Sequence, residues 1–189
     1  MALADELALL NDHAHLEKKA ATNALSLLQR WPHGACPDHW VHAITSIARD
    51  ESQHLAMVAR IIRNRGGQVS RNHEVQYARE LHGLVRYGEA HRELLDRLLI
   101  SALIEARSCE RFALLGEATT DATLSKLYRG LWASERGHYQ LFLDLARSAL
   151  PDLDVDERWS WFLDREGEII ADQPPGSRIH SWMGVGVSQ

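Results

Sequence analysis

Four stretches of this chain carry apolar residues three and four positions apart, and near the middle of each a glutamate interrupts the apolar stripe. Positions at these spacings share one face of a helix, so each glutamate lies on the face that must pack. The first stripe reads Leu10, Glu17, Ala20, Ala21, Ala24, Leu28, and the second Ile44, Ile47, Glu51, His54, Val58, Ile61. The third reads Leu98, Ala102, Glu105, Cys109, Phe112. The fourth reads Leu124, Leu127 or Tyr128, Leu131, Glu135, His138, Phe142, Leu145.

Burying one ionised carboxylate in an apolar core costs several kcal/mol even after relaxation. Four together demand compensation, and no lysine or arginine lies on the same faces. Two of the four glutamates open Glu-x-x-His motifs, Glu51-Ser-Gln-His54 and Glu135-Arg-Gly-His138, which put an imidazole on the same face. With 14 glutamates and 11 histidines, roughly one such pair arises by chance, so a single match carries little weight. The weight comes from four stripes broken alike. Two divalent cations would set four positive charges against four carboxylates, with two imidazoles completing the ligands. A glutamate from each of two helices and a Glu-x-x-His from each of the other two is the pattern of di-iron and di-manganese carboxylate bundles. Oxygen-rich donors with some imidazole suit iron or manganese better than a thiolate-seeking metal. The candidate metal ligands are therefore Glu17, Glu51, His54, Glu105, Glu135 and His138.

The chain is organised to match. A first helix is predicted from Asp5 to Trp31, stopped by Pro32, His33 and Gly34. A second opens at Pro37 and Asp38 and ends at Gly66 and Gly67. A polar connection with a short helix over Tyr77 to Leu84 leads to a third long helix from Glu89 to Leu115, ended by Gly116. A fourth runs from Asp121 to Leu150, a shorter one from Val155 to Ile170, and an irregular tail follows. Each half is a helix pair carrying a lone glutamate and then a Glu-x-x-His, a faint internal repeat. The expected fold is all-α: a ferritin-like four-helix bundle with a long middle connection and an extra C-terminal helix. We read residues 1–189 as a single domain, with the bundle over about 5–150 and the C-terminal helix and tail over 151–189.

A hydrophobic content of 45% is ordinary for one globular domain. No apolar run approaches the roughly 20 residues of a membrane helix, and no basic start precedes an apolar block as in a signal peptide. Cys36 and Cys109 form no metal or redox motif, which fits a reducing, cytoplasmic setting. The net charge of −5 argues against wholesale wrapping of nucleic acid. Residues 55–73 nevertheless hold Arg60, Arg63, Arg65 and Arg71 with no acidic residue, and Lys18 and Lys19 follow the first candidate ligand. These six are candidate RNA contacts, against the plainer reading of solvated helix ends whose arginines answer the helix dipole.

Asp50 precedes Glu51 and is a candidate hydrogen-bond partner for a metal-bound histidine, or simply a solvated carboxylate. His13, His15, His33, His39, His42, His73, His82, His91 and His180 are expected at the surface, and Cys109 as a small packed thiol. Tyr128 and Tyr139 are expected to pack in the core.

Several blocks, among them DHAHLEKKAA at 12–21, ARDESQHL at 48–55, LIEARSCERFALL at 103–115, SERGHYQLFLDLA at 134–146 and QPPGSRIHSW at 173–182, resemble the tRNA 2-methylthio-isopentenyl-adenosine hydroxylases, the MiaE family. EARSCERF is the most specific of them. The resemblance implies a non-haem di-iron monooxygenase that hydroxylates the isopentenyl group of a hypermodified adenosine beside the tRNA anticodon. It implies the six ligands above, two iron ions, O2 as co-substrate, and electrons from an external reductase or ferredoxin. Family members typically carry a longer N-terminal lead, so substrate contacts made by such a lead are not carried over. The competing readings are another di-metal oxidase or peroxidase on the same site and an iron-sequestering protein. A metal-free bundle ranks last, because it leaves the core carboxylates uncompensated.

Overall fold

Asp5 accepts a hydrogen bond from the Ala8 N–H and so caps the first helix, α1 (Glu6–Leu27). A computed structural model describes residues 2–73 and 76–181, and among these the regular structure is helical throughout. Five further helices follow: α2 (Asp38–Asn64), α3 (Gln76–His82), α4 (Ala90–Ala118), α5 (Ala122–Ala149) and α6 (Val155–Ala171). Asp121 and Asp154 cap α5 and α6 as Asp5 caps α1. α2 closes with the bonds of a Schellman motif, Gly66 N–H to Arg63 O and Gly67 N–H to Ile62 O, and Gly66 takes a φ of 76°.

Two boundaries differ from the sequence reading for physical reasons. α1 tightens into a 3-10 turn over Leu28–Arg30 instead of running as α-helix to Trp31. Gly116 does not end α4. It is buried inside the helix where α5 crosses, and a Cβ there would stand 3.3 Å from Arg129 Cγ. The glycine serves close approach, and α4 stops only where Thr119 turns extended.

α1 packs mainly on α2 and α4 on α5, giving two hairpins joined by the long connection that holds α3. α6 lies against α3, α4 and α5. The apolar core falls into two clusters. One gathers Leu27, Trp40, Ile44, Ile47, Leu98, Leu99 and Phe142; the other gathers Leu9, Leu10, Val58, Ile62, Phe112, Leu124, Tyr128 and Leu131. On each long helix the interrupting glutamate falls between the residues of these two clusters. The tail after α6 is irregular as expected, but it is packed: Gln173, Ile179, His180 and Ser181 are buried. Trp182, the end of the QPPGSRIHSW block, lies outside the described residues, as does the rest of the tail.

Candidate metal centre

The four bundle helices bring the six candidate ligands together between the two apolar clusters. Glu51 and Glu135 are 1% exposed, Glu17 4% and Glu105 5%, and both histidines are buried with them. Ligand atoms of Glu17, Glu51, His54 and Glu135 all lie within 4.8 Å of one another, as do those of Glu51, Glu105, Glu135 and His138. Glu51 and Glu135 are common to both groups. Both imidazoles turn Nδ1 inward: His54 Nδ1 stands 3.3 Å from Glu135, and His138 Nδ1 stands 2.7 Å from Glu51. Asp50 reaches the outer side of His138, with Oδ2 3.6 Å from Nε2, and is itself paired with Arg49.

The electrostatics are those of too many like charges in one dry place. Burial, reinforced by the charges of Glu51 and Glu135, pushes the Glu105 carboxyl well above the usual range. Burial likewise pushes Glu51 up to about 7, against the attraction of the nearby His138 and His54 imidazoles. For Glu17, burial is outweighed by the hydrogen bond from His13 and the nearby His54 imidazole, which hold it below the usual range. Burial would lower both histidines, yet their carboxylate partners raise His54 to about 12 and His138 to about 10.

Whether these residues suit metal ions is tested by their hydrogen bonding. Buried polar atoms are ordinarily paired. Here Glu51 Oε1, both oxygens of Glu135, and Nδ1 of His54 and His138 are buried with no well-formed hydrogen bond. Five such atoms converge on one spot and are all metal-donor types, so the residues fit a pair of cations.

Of the nine histidines expected at the surface, His33, His39, His42 and His91 are exposed, whereas His13, His15 and His180 are buried and correct the sequence reading. His13 is fully buried on α1, one turn before Glu17, and its Nε2 lies 2.6 Å from Glu17 Oε1. The i, i+4 spacing carried that signal, but a surface role was expected. His15 is buried with its ring stacked 4.7 Å from that of His73. His180 is buried and sits 3.1 Å from Ser108 Oγ; burial pushes its imidazole down to about 4. No local pattern announces it, because its partners lie on α1, α3 and α4. Cys109 is a packed thiol, as expected. Tyr128 is buried against Phe112 and His13, and Tyr139 packs half-buried against the other cluster.

A cavity of about 370 Å³ opens onto the carboxylates, within the roughly 300–1,000 Å³ range of small-ligand pockets. Its floor holds Glu17, Glu51, Glu105 and Glu135, and its walls include Leu16, Ala20, Ile104 and Phe112. Of the six candidate RNA contacts, only Lys19 lines it. Lys18, Arg60, Arg63 and Arg71 are exposed elsewhere. Arg65 is spent in the fold, its guanidinium bound between Glu6 and Asp121. Arg79 of α3, which the sequence reading passed over, lines the cavity too.

With this geometry in view, the family model described as tRNA-(MS[2]IO[6]A)-hydroxylase (MiaE) matches residues 2–181. The chain belongs to the MiaE family. Among its MiaE relatives, the tRNA 2-(methylsulfanyl)-N(6)-isopentenyladenosine(37) hydroxylase of Pseudomonas putida is 37% identical over 180 residues, covering 95% of this chain and 85% of that protein. The Salmonella typhimurium enzyme of the same name is 33% identical over 135 residues, covering 71% of this chain and 49% of its own length. Among solved structures, a Synechococcus protein described as having aldehyde deformylating oxygenase activity superposes with a TM-score of 0.86. It is 34% identical, and the match covers 98% of this chain and 92% of that one. The ferritin-like bundle read from the MiaE sequence is the fold observed. No helix among the described residues is long and apolar enough to cross a membrane.

Proposed function

We propose that this chain hydroxylates the isopentenyl group of a hypermodified adenosine next to the tRNA anticodon, with two iron ions held by Glu17, Glu51, His54, Glu105, Glu135 and His138. The observation that carries this is a cavity with apolar walls whose floor is the buried six-residue cluster, in a chain of the tRNA-hydroxylase family. An iron pair bound there supplies the O2 activation that the side chains alone lack. Hydroxylation puts one oxygen atom of O2 into a C–H bond and reduces the other to water, using two electrons and two protons. Two electrons must therefore arrive from outside, from a reductase or ferredoxin. Such a partner is needed because Cys36 is exposed, Cys109 is buried, and the two form no redox pair.

The protein's own part is positioning and exclusion of water. Leu16, Ala20, Ile104 and Phe112 give a prenyl group an apolar seat beside the carboxylates. His13 holds Glu17 through its Nε2–H, and Asp50 faces the outer nitrogen of His138, where a carboxylate favours Nδ1 as the metal-binding atom. An adenosine in an anticodon loop is single-stranded and can be turned into such a cavity without melting a duplex. On this reading the whole chain, 1–189, acts as one domain and works in the cytoplasm. The iron-sequestering reading is not favoured, since the relatives are tRNA hydroxylases.

The test is mass spectrometry of nucleosides from bulk tRNA of cells with and without the gene. Loss of the hydroxylated nucleoside with build-up of its unhydroxylated precursor supports the assignment. An unchanged profile in a strain that makes the modification overturns it.

A further inference from the structure

Among the side chains that line the cavity, only Lys19 and Arg79 are exposed; the others are half-buried or buried. They mark the mouth, Lys19 from α1 and Arg79 from α3. Among the described residues neither has a carboxylate partner within salt-bridge distance, although most other arginines near the bundle do. Lys19 is also held in place. Its Nζ lies 3.2 Å from His73 Nδ1, and His73 Nε2 lies 2.7 Å from Asp12 Oδ1. The buried Asp12 fixes the His73 proton on Nε2, which leaves Nδ1 to accept from the lysine. Asp12 in turn accepts from the Ile179 N–H of the tail, and the His15 ring stacks on His73. A surface lysine normally keeps its rotamer freedom, so a half-buried His73 anchored on the buried Asp12 that orders this one has to be explained by what the ammonium meets.

We propose that Lys19 and Arg79 form a phosphate clamp at the cavity mouth, taking a backbone phosphate that flanks the adenosine whose prenyl group reaches the floor. The ammonium acts as a point charge and the guanidinium as a fork for two phosphate oxygens. The inference rests on the hydroxylase reading for its substrate but makes a separate claim about binding. Arg60, Arg63 and Arg71 lie off the mouth and take no part in this contact.

The experiment is a binding cycle on the iron-loaded full chain. The probes are an anticodon stem-loop carrying the prenylated adenosine and the same RNA with neutral methylphosphonates flanking that nucleotide. Lys19→Gln with Arg79→Gln should raise Kd for the native stem-loop about 10–100-fold and flatten the salt dependence by about 1 in slope, as losing one phosphate contact does. The neutral RNA should bind wild type and variant alike. Equal losses on both RNAs, or no loss on the native one, overturn the clamp; Arg79→Lys, which keeps the charge but not the fork, should fall between. Wild-type protein that shows this cycle yet adds no oxygen to the RNA would leave the clamp standing and sink the hydroxylase assignment.

Discussion

Glu105 differs from the other three carboxylates of the centre in having no imidazole within ion-pair distance, and the charges of Glu51 and Glu135 push it further toward the protonated form. Removing it leaves one of the two ligand groups with three members. Glu105→Ala is therefore expected to lose iron from that group and to abolish hydroxylation, read by iron content per chain and nucleoside analysis. His13 acts one step further out. His13→Leu keeps the bulk beside Phe112 but removes the N–H that holds Glu17. Loss of such an outer partner typically weakens metal binding by about 10–100-fold, and a competitive iron titration should show a drop in that range with the fold intact. An unchanged affinity would mean that Glu17 is held by packing alone.

At the scale of elements, the connection between the hairpins is pinned by one buried aspartate. Asp96 of α4 accepts from the Arg86 backbone N–H and guanidinium and from Arg158 of α6, and its own side chain is fully buried. Removing one partner of a buried ion pair leaves charge uncompensated, so Asp96→Asn should cost about 3 kcal/mol in denaturant unfolding. Burial would raise this carboxyl, but its arginine partners outweigh burial and hold it below the usual range. The unfolded chain therefore binds the proton more readily than the folded one. The contribution of Asp96 is present above pH ~4 and is lost as pH falls through its depressed folded value. Stability measured down a pH series should fall steeply in that acid range, and the fall should be shallower in Asp96→Asn.

For the molecule as a whole, the tail after α6 works as a strap. Ile179 bonds Asp12 of α1, Ser181 accepts from Arg111 of α4, and Gln173 donates to Glu80 of α3. His180 is enclosed by the same elements, with Tyr77, Ser108, Asp12, His13, Arg107 and Arg111 around it. Its folded-state value of about 4 lies below the ordinary histidine value, because burial disfavours the charged ring. The unfolded chain thus takes up a proton first, and strap stability should drop as pH falls from about 6.5 to 4, by on the order of 3 kcal/mol at most. His180→Phe should remove that pH dependence in thermal unfolding. A dependence that survives the substitution would come from His15 and His82, which burial lowers in the same direction.

Periodicity alone determined that the chain is a helical bundle, and four stripes broken by glutamate were enough to mark six residues that the fold does bring together. The reason is local: residues three and four apart share a helix face whatever the helix packs against, so Glu51 with His54 and Glu135 with His138 were legible without knowing the fold. The lone glutamates were legible because a carboxylate on an apolar stripe is costly unless something compensates it. What decided the rest was distance in sequence. Arg65 reads as a free cation until Glu6 and Asp121 close on it across the bundle. Gly116 reads as a helix stop until α5 is seen crossing it. His180, Arg79 and the Asp12–His73–Lys19 chain join the cavity through contacts dozens of residues apart or more. Such contacts leave no period in the sequence, and only tertiary packing determines which polar groups are buried and which charges are left to meet a substrate.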